Sequence, residues 1–180
     1  MAQPLQLTVP SHLPFIGWHR EFGFPPADVY AAHADPELVA QWLGASGTRT
    51  EISRYDFSTG GSFSYCQRAA DGTASTFTGV FHTVHPQELI IPTVDSGDPG
   101  AATITFLRFA PLPDGGTLLT GHSVYSTQQL RDQAADSALA ALVGSGLDRL
   151  EDLLASDSPG AWGLADRVDG WDEPAAWGRL

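Results

Sequence analysis

The run STQQLRDQAADSALAALVGSGLDRLEDLLA, residues 126–155, decides the fold. Leu139, Leu142, Val143, Leu147, Leu150 and Leu154 recur at helical spacing, which predicts one long helix with a buried stripe. Ser126 and Gln129 have the S-x-x-Q spacing of a capping box, in which a hydroxyl satisfies a free backbone N–H of the first turn. A helix with one apolar stripe needs an apolar surface to lie on, and the chain upstream supplies it. From Thr48 to Ser126 the pattern is strand and turn only, with strands expected at 48–57, 62–69, 75–85, 88–94, 102–110 and 117–125. Turn signals separate them: Gly60-Gly61, Asp71-Gly72, Pro86, the stretch Asp95 to Gly100, and Asp114-Gly115-Gly116. Phe63 and Tyr65 fall on one face of their strand, and Phe77, Gly79 and Phe81 on one face of the next.

Further upstream, Trp18, Phe22 and Phe24 alternate with His19 and Glu21, so another strand precedes Pro25 and Pro26. Two short helices follow, one from Ala27 to Ala34 and one N-capped by Asp35, with Pro36 at its first position. The order is strand, two short helices, six strands, long helix. A seven-stranded antiparallel sheet with a single amphipathic helix buries its apolar face by wrapping round that helix, which leaves room for a cavity. Residues 1–14 read as an N-terminal arm, 15–155 as the domain, and 156–180 as a Gly-, Pro- and Asp-rich tail that still holds Trp162, Trp171 and Trp177.

Composition narrows the partners. The chain of 180 residues has a net charge of −12, and its nine basic residues are all arginine, so no basic patch invites nucleic acid or an anionic membrane. A lone cysteine, Cys66, excludes a disulfide framework and a cysteine-based zinc site. Neither a signal peptide nor a run of about 20 apolar residues is visible, so a cytoplasmic protein is expected. No cofactor or metal is expected: His82 and His85 form an H-x-x-H pair, with His122 nearby, but alternation places His82 on the outer, solvated face.

Several stretches resemble a known family. PADVYAAHADPELVAQWLG (26–44), GGSF (60–63), GVFHTVHP (79–86), TITF (103–106) and the last helix are similar to the branch of the SRPBCC, or START-like, superfamily named after the activator of the heat-shock-protein-90 ATPase. The resemblance covers roughly residues 18–155 and implies an α+β helix-grip fold. It implies one of three functions: binding a small hydrophobic or amphipathic molecule between the sheet and the last helix, a cyclase- or dehydratase-type reaction on a polyketide-like or aromatic substrate, or a co-chaperone-like protein-binding module.

The departures from that pattern point to the site. His33 replaces a common aromatic, Gly121 and Ser123 replace bulky aliphatics of the last strand, and Ala140 and Ala141 replace paired acids. Arg108 is in phase with Ile104 and Phe106, the face expected to point inward, where a charge needs a partner or an anionic ligand group. Candidate ligand-lining residues are Phe63, Tyr65, Phe81, Phe106, Arg108, Gly121, Ser123, Leu139, Leu142 and His33. His33, Arg108 and Tyr65 are the catalytic candidates if the protein is an enzyme, His33 acting as an acid or base near neutral pH. The ligand expected is aromatic or amphipathic and drug-like in size, in a pocket enlarged at Gly121 and Ser123, with Leu142 as the rival filler. The apolar stretch from Ala138 to Val143 invites cover by the tail, within one chain or across a homodimer.

Overall fold

The computed structural model describes residues 4–136 and 139–156, without the side chains of Leu139 and Ala140. In chain order the elements are β1 (Gln6–Thr8), β2 (Phe15–Phe22), α1 (Pro26–Ala34), α2 (Pro36–Trp42), β3 (Arg49–Tyr55) and β4 (Ser62–Arg68). They continue with β5 (Ala74–His85), β6 (Leu89–Asp95), β7 (Thr103–Pro111), β8 (Thr117–Val124), α3 (Gln128–Asp136) and α4 (Leu139–Ser156). All strands join one antiparallel sheet in the order β1-β2-β8-β7-β6-β5-β4-β3. Among the described residues no helix is long and apolar enough to cross a membrane.

Local chemistry sets these boundaries. Pro25 and Pro26 end the first long strand, and Pro26 opens α1 at a position where its missing N–H costs nothing. The Asp35 carboxylate accepts from the Glu37 N–H at 2.8 Å, which breaks the helical run into α1 and α2 and caps the second. At the β4–β5 hairpin Gly72 takes a φ of +89° while the Asp71 carboxylate accepts from the Thr73 N–H.

The inward face carries the core. Ile16, Phe22, Phe63, Phe81, Ile90, Phe109 and Leu119 are buried from the sheet side, and Val29, Val39, Trp42, Leu147, Leu150 and Leu154 from the helices. Each such aliphatic or aromatic side chain contributes about 1.5–3 kcal/mol by leaving water.

Three expectations need correcting. The sheet has eight strands rather than seven, because residues 6–8 of the expected arm pair with Gly17, Trp18 and His19. Arg131, only 2% exposed, fixes the rest of that segment by donating to the carbonyls of Pro10 and Leu13. The expected final helix is helical over α3 and α4, on either side of residues 137 and 138, which lie outside the described set. Thr127, not Ser126, caps α3: its hydroxyl accepts from the Leu130 N–H at 3.2 Å, while the Ser126 hydroxyl donates to the Gly100 carbonyl. Lastly, β7 runs in the opposite phase. Phe109 is buried and Leu107 half-buried, whereas Ile104, Phe106 and Arg108 face out. Both phases of TITFLRF are apolar enough to be buried, so alternation alone does not choose between them.

Candidate functional site

A cavity of about 120 Å³ opens between the sheet and the two short helices. His33 of α1 and Val39, Trp42 and Leu43 at α2 form one wall. Tyr55 and Phe57, at and beyond the end of β3, join Phe63, Tyr65 and Phe81 of the adjoining strands in an aromatic wall. Ile90, Pro92 and Val94 of β6 and Leu107 of β7 form the floor. The sheet's inward alternation puts these side chains on one face, and Asp35, by splitting α1 from α2, lets Leu43 and Trp42 fold over them.

The aromatic wall is packed ring on ring. Tyr55 lies parallel to Phe57 at 5.8 Å and edge-on to Phe81 at 5.4 Å, and Tyr65 stacks on Phe77 at 5.1 Å. Each such pair adds about 0.5–1.5 kcal/mol beyond its burial.

Arg149 fixes the other side. Its guanidinium donates to the carbonyls of Trp42 (2.9 Å) and Gly44, both left free where α2 ends. The Thr50 hydroxyl donates to the Leu43 carbonyl at 2.6 Å. The turn that carries Trp42 and Leu43 into the cavity is thus held from α4 and from β3.

His33 is 6% exposed, and its Nδ1 donates to the Val29 carbonyl at 2.7 Å. Burial pulls its pKa down to about 4, outweighing the Val29 bond that favours the charged form. The imidazole is neutral near pH 7 and does not supply the neutral-pH acid expected of it. Burial likewise pushes the Tyr55 and Tyr65 hydroxyls up, so both stay protonated. The Tyr55 hydroxyl donates to the His33 carbonyl at 2.6 Å, which holds the end of α1 against β3.

Of the residues singled out from sequence, His33, Phe63, Tyr65 and Phe81 come together on this cavity. Phe106 and Arg108 do not. They stand on the outer face of the sheet beside Phe15, Leu89, Thr120, His122 and Val124, so Arg108 is exposed and cannot act with His33 and Tyr65. Gly121 faces inward, but it opens no space: a Cβ there would come within 2.1 Å of the indole of Trp18, its cross-strand partner. Trp18 has taken the volume expected for ligand. Ser123 is occupied by a 3.0 Å hydrogen bond with Thr105. Leu142 is 37% exposed and fills nothing, and the Leu139 side chain lies outside the described residues. Among the described residues, Gly121 and Ser123 thus line no part of this cavity, which is roofed by α1 and α2.

Two buried arginines, Arg20 and Arg131, were not picked out from the sequence. Arg20, 2% exposed, donates to Asp148 and Glu151 of α4 at 2.5 Å each and lies 5.3 Å from the Phe22 ring centre. Its position in phase with Trp18 and Phe22 is the signal that identifies it. Tyr55 and Phe57 carried a similar signal, the same i, i+2 aromatic spacing as Phe63 and Tyr65.

Solved structures with this architecture are known from several bacteria. A protein of Rhodobacter sphaeroides is 25% identical, with a TM-score of 0.80 over 86% of this chain and 100% of its own. One from Chromobacterium violaceum is 26% identical, with a TM-score of 0.68 over 79% of this chain and 99% of its own. The AHSA1 protein of Silicibacter pomeroyi, 20% identical, aligns with a TM-score of 0.66 over 80% of this chain and 99% of its own. No curated protein matches the sequence. The family model described as activator of Hsp90 ATPase homolog 1-like protein matches residues 23–155, most of the sheet and the helices that roof it. The chain belongs to that family, within the SRPBCC superfamily, and has its helix-grip fold.

Proposed function

We propose that the protein binds a small apolar molecule in the cavity between β3–β7 and the α1–α2 pair. The observation that carries this reading is the aromatic wall of Tyr55, Phe57, Phe63, Tyr65 and Phe81 around a cavity of about 120 Å³. A close-packed interior does not keep such a volume without a cost in lost contacts. For comparison, an engineered apolar cavity of about 150 Å³ stays dry and takes up benzene. The ligand class is accordingly a single ring or its equivalent, smaller than the drug-sized molecule the sequence led us to expect.

The enzyme reading is weakened because Arg108, its anion-stabilising group, stands on the other face of the sheet. A protein-binding module is favoured by a separate observation: Val80, Ile104, Phe106 and Val124 are each 37–43% exposed on the outer face.

The test is a thermal melt of the protein with toluene, phenol and indole at about a hundredfold excess over the dissociation constant. Linkage then adds about 2.7 kcal/mol, which for a chain of this size raises the midpoint by about 5–10 °C. Val94→Phe, which extends a ring into the space, should melt no lower than the parent and lose the response. A midpoint that no ligand moves contradicts the reading.

A further inference from the structure

Four side chains on the cavity wall carry hydrogen-bonding atoms: His33, Trp42, Tyr55 and Tyr65. Most of those atoms are already engaged. Trp42 Nε1 donates to the Ala32 carbonyl at 2.8 Å, the Tyr55 hydroxyl donates to the His33 carbonyl, and His33 Nδ1 donates to the Val29 carbonyl. A carbonyl only accepts, so the last bond fixes the proton of the neutral imidazole on Nδ1 and leaves Nε2 a bare acceptor. Neither His33 Nε2 nor the Tyr65 hydroxyl has a protein partner among the described residues. No carboxylate, guanidinium or ammonium lines the space.

From this arrangement we infer that the cavity selects a neutral single-ring molecule bearing one hydroxyl, of the phenol class, whose O–H donates to His33 Nε2 and whose oxygen accepts from Tyr65. The inference rests on the ligand-cavity reading above and deepens it to a chemical class. His33 and Tyr65 both line this one small cavity. Water suits it poorly: a volume of that size takes several waters, each needing two to four polar partners, and among the described residues the lining side chains offer chiefly His33 Nε2 and the Tyr65 hydroxyl. A hydrocarbon fits the walls but leaves both polar atoms unpaired. A benzoate-like anion meets no cation, and desolvating its charge is far more costly. Burial holds His33 neutral down to about pH 4, so the acceptor persists through the neutral range.

The experiment is calorimetric titration of the full chain at pH 7 with phenol, toluene and benzoate, repeated on His33→Phe and Tyr65→Phe. Phenol should bind at least as tightly as toluene although its hydroxyl is the more strongly hydrated group, and benzoate should not bind. His33→Phe should lower phenol affinity about tenfold, the size of one hydrogen bond, with toluene unchanged. Should His33→Phe also lose toluene, its larger ring has filled the space, and Tyr65→Phe, which removes only an oxygen, carries the comparison with a loss of several-fold expected for phenol alone. A phenol-to-toluene ratio that is the same in the parent and in Tyr65→Phe overturns the hydroxyl assignment while leaving the cavity standing, as does tight binding of benzoate. If neither neutral ring binds, the cavity reading itself has failed.

Discussion

At the scale of single residues, the burial of His33 has a measurable consequence for stability. Its imidazole has pKa 6.5 when exposed and about 4 in the fold, lowered by burial. Between those values the unfolded chain binds a proton that the folded chain refuses, so stability rises with pH from about 4 to 6.5 and is lost as pH falls through that window. At about 1.4 kcal/mol per pH unit, the contribution amounts to about 3 kcal/mol. His33→Phe should flatten the dependence of unfolding free energy on pH across this window; parallel profiles for the two proteins would show that His33 is not held neutral by the fold. The sequence marked His33 by its position on the inward face of a short helix. It also marked Gly121, and there the inference failed for a physical reason. A missing side chain signals space only if no neighbour reaches across, and Trp18 sits directly opposite. Gly79 repeats the arrangement under Phe63, so in this sheet a glycine marks the seat of a cross-strand ring.

At the scale of elements, strand boundaries were legible to within a residue or two from β3 to β8, because each is bounded by Gly, Pro or Asp turn chemistry. The phase of β7 was not. Ile104 and Phe106 compete with Leu107 and Phe109 for the inside, and only pairing with β8, which sets Leu107 opposite Gly121 and Phe109 opposite Leu119, decides it. That error moved the expected buried charge from Arg20, where it is, to Arg108. Arg20 joins β2 to α4 through Asp148 and Glu151, whose side chains are 67% and 22% exposed. The two bonds are unequal in consequence. Asp148→Ala leaves Arg20 one carboxylate and removes a well-solvated partner, so it should cost less than about 1 kcal/mol. Arg20→Ala opens a hole beside Phe22 and strips both acids of their partner, and about 3 kcal/mol is expected. Chemical denaturation of both variants gives the comparison; equal costs would contradict the placement of Arg20 as the buried member.

At the scale of the whole molecule, the sequence located the fold correctly and the cavity only in part. The strip of β4 and β5 aromatics and His33 were recognised, but the roof was assigned to the final helix because that helix has the strongest apolar stripe. In the structure the lower part of the stripe, Leu147, Leu150 and Leu154, is buried in the core, and α1 and α2 cover the cavity instead. The expected docking of the tryptophan-bearing tail, and a homodimer built on it, fall on residues outside the described set. A small aromatic ligand belongs in the cavity under α1 and α2. Two-dimensional NMR of the isotopically labelled protein titrated with phenol measures that directly. The prediction is a set of saturable shifts confined to the α1–α2 turn and the inward side chains of β3 to β7, with Leu43, Tyr65, Val94 and Leu107 among the most affected. Shifts centred instead on Phe106, Arg108 and His122 of the outer face, on Gly121 and Ser123, or no saturable shifts at all, would contradict it.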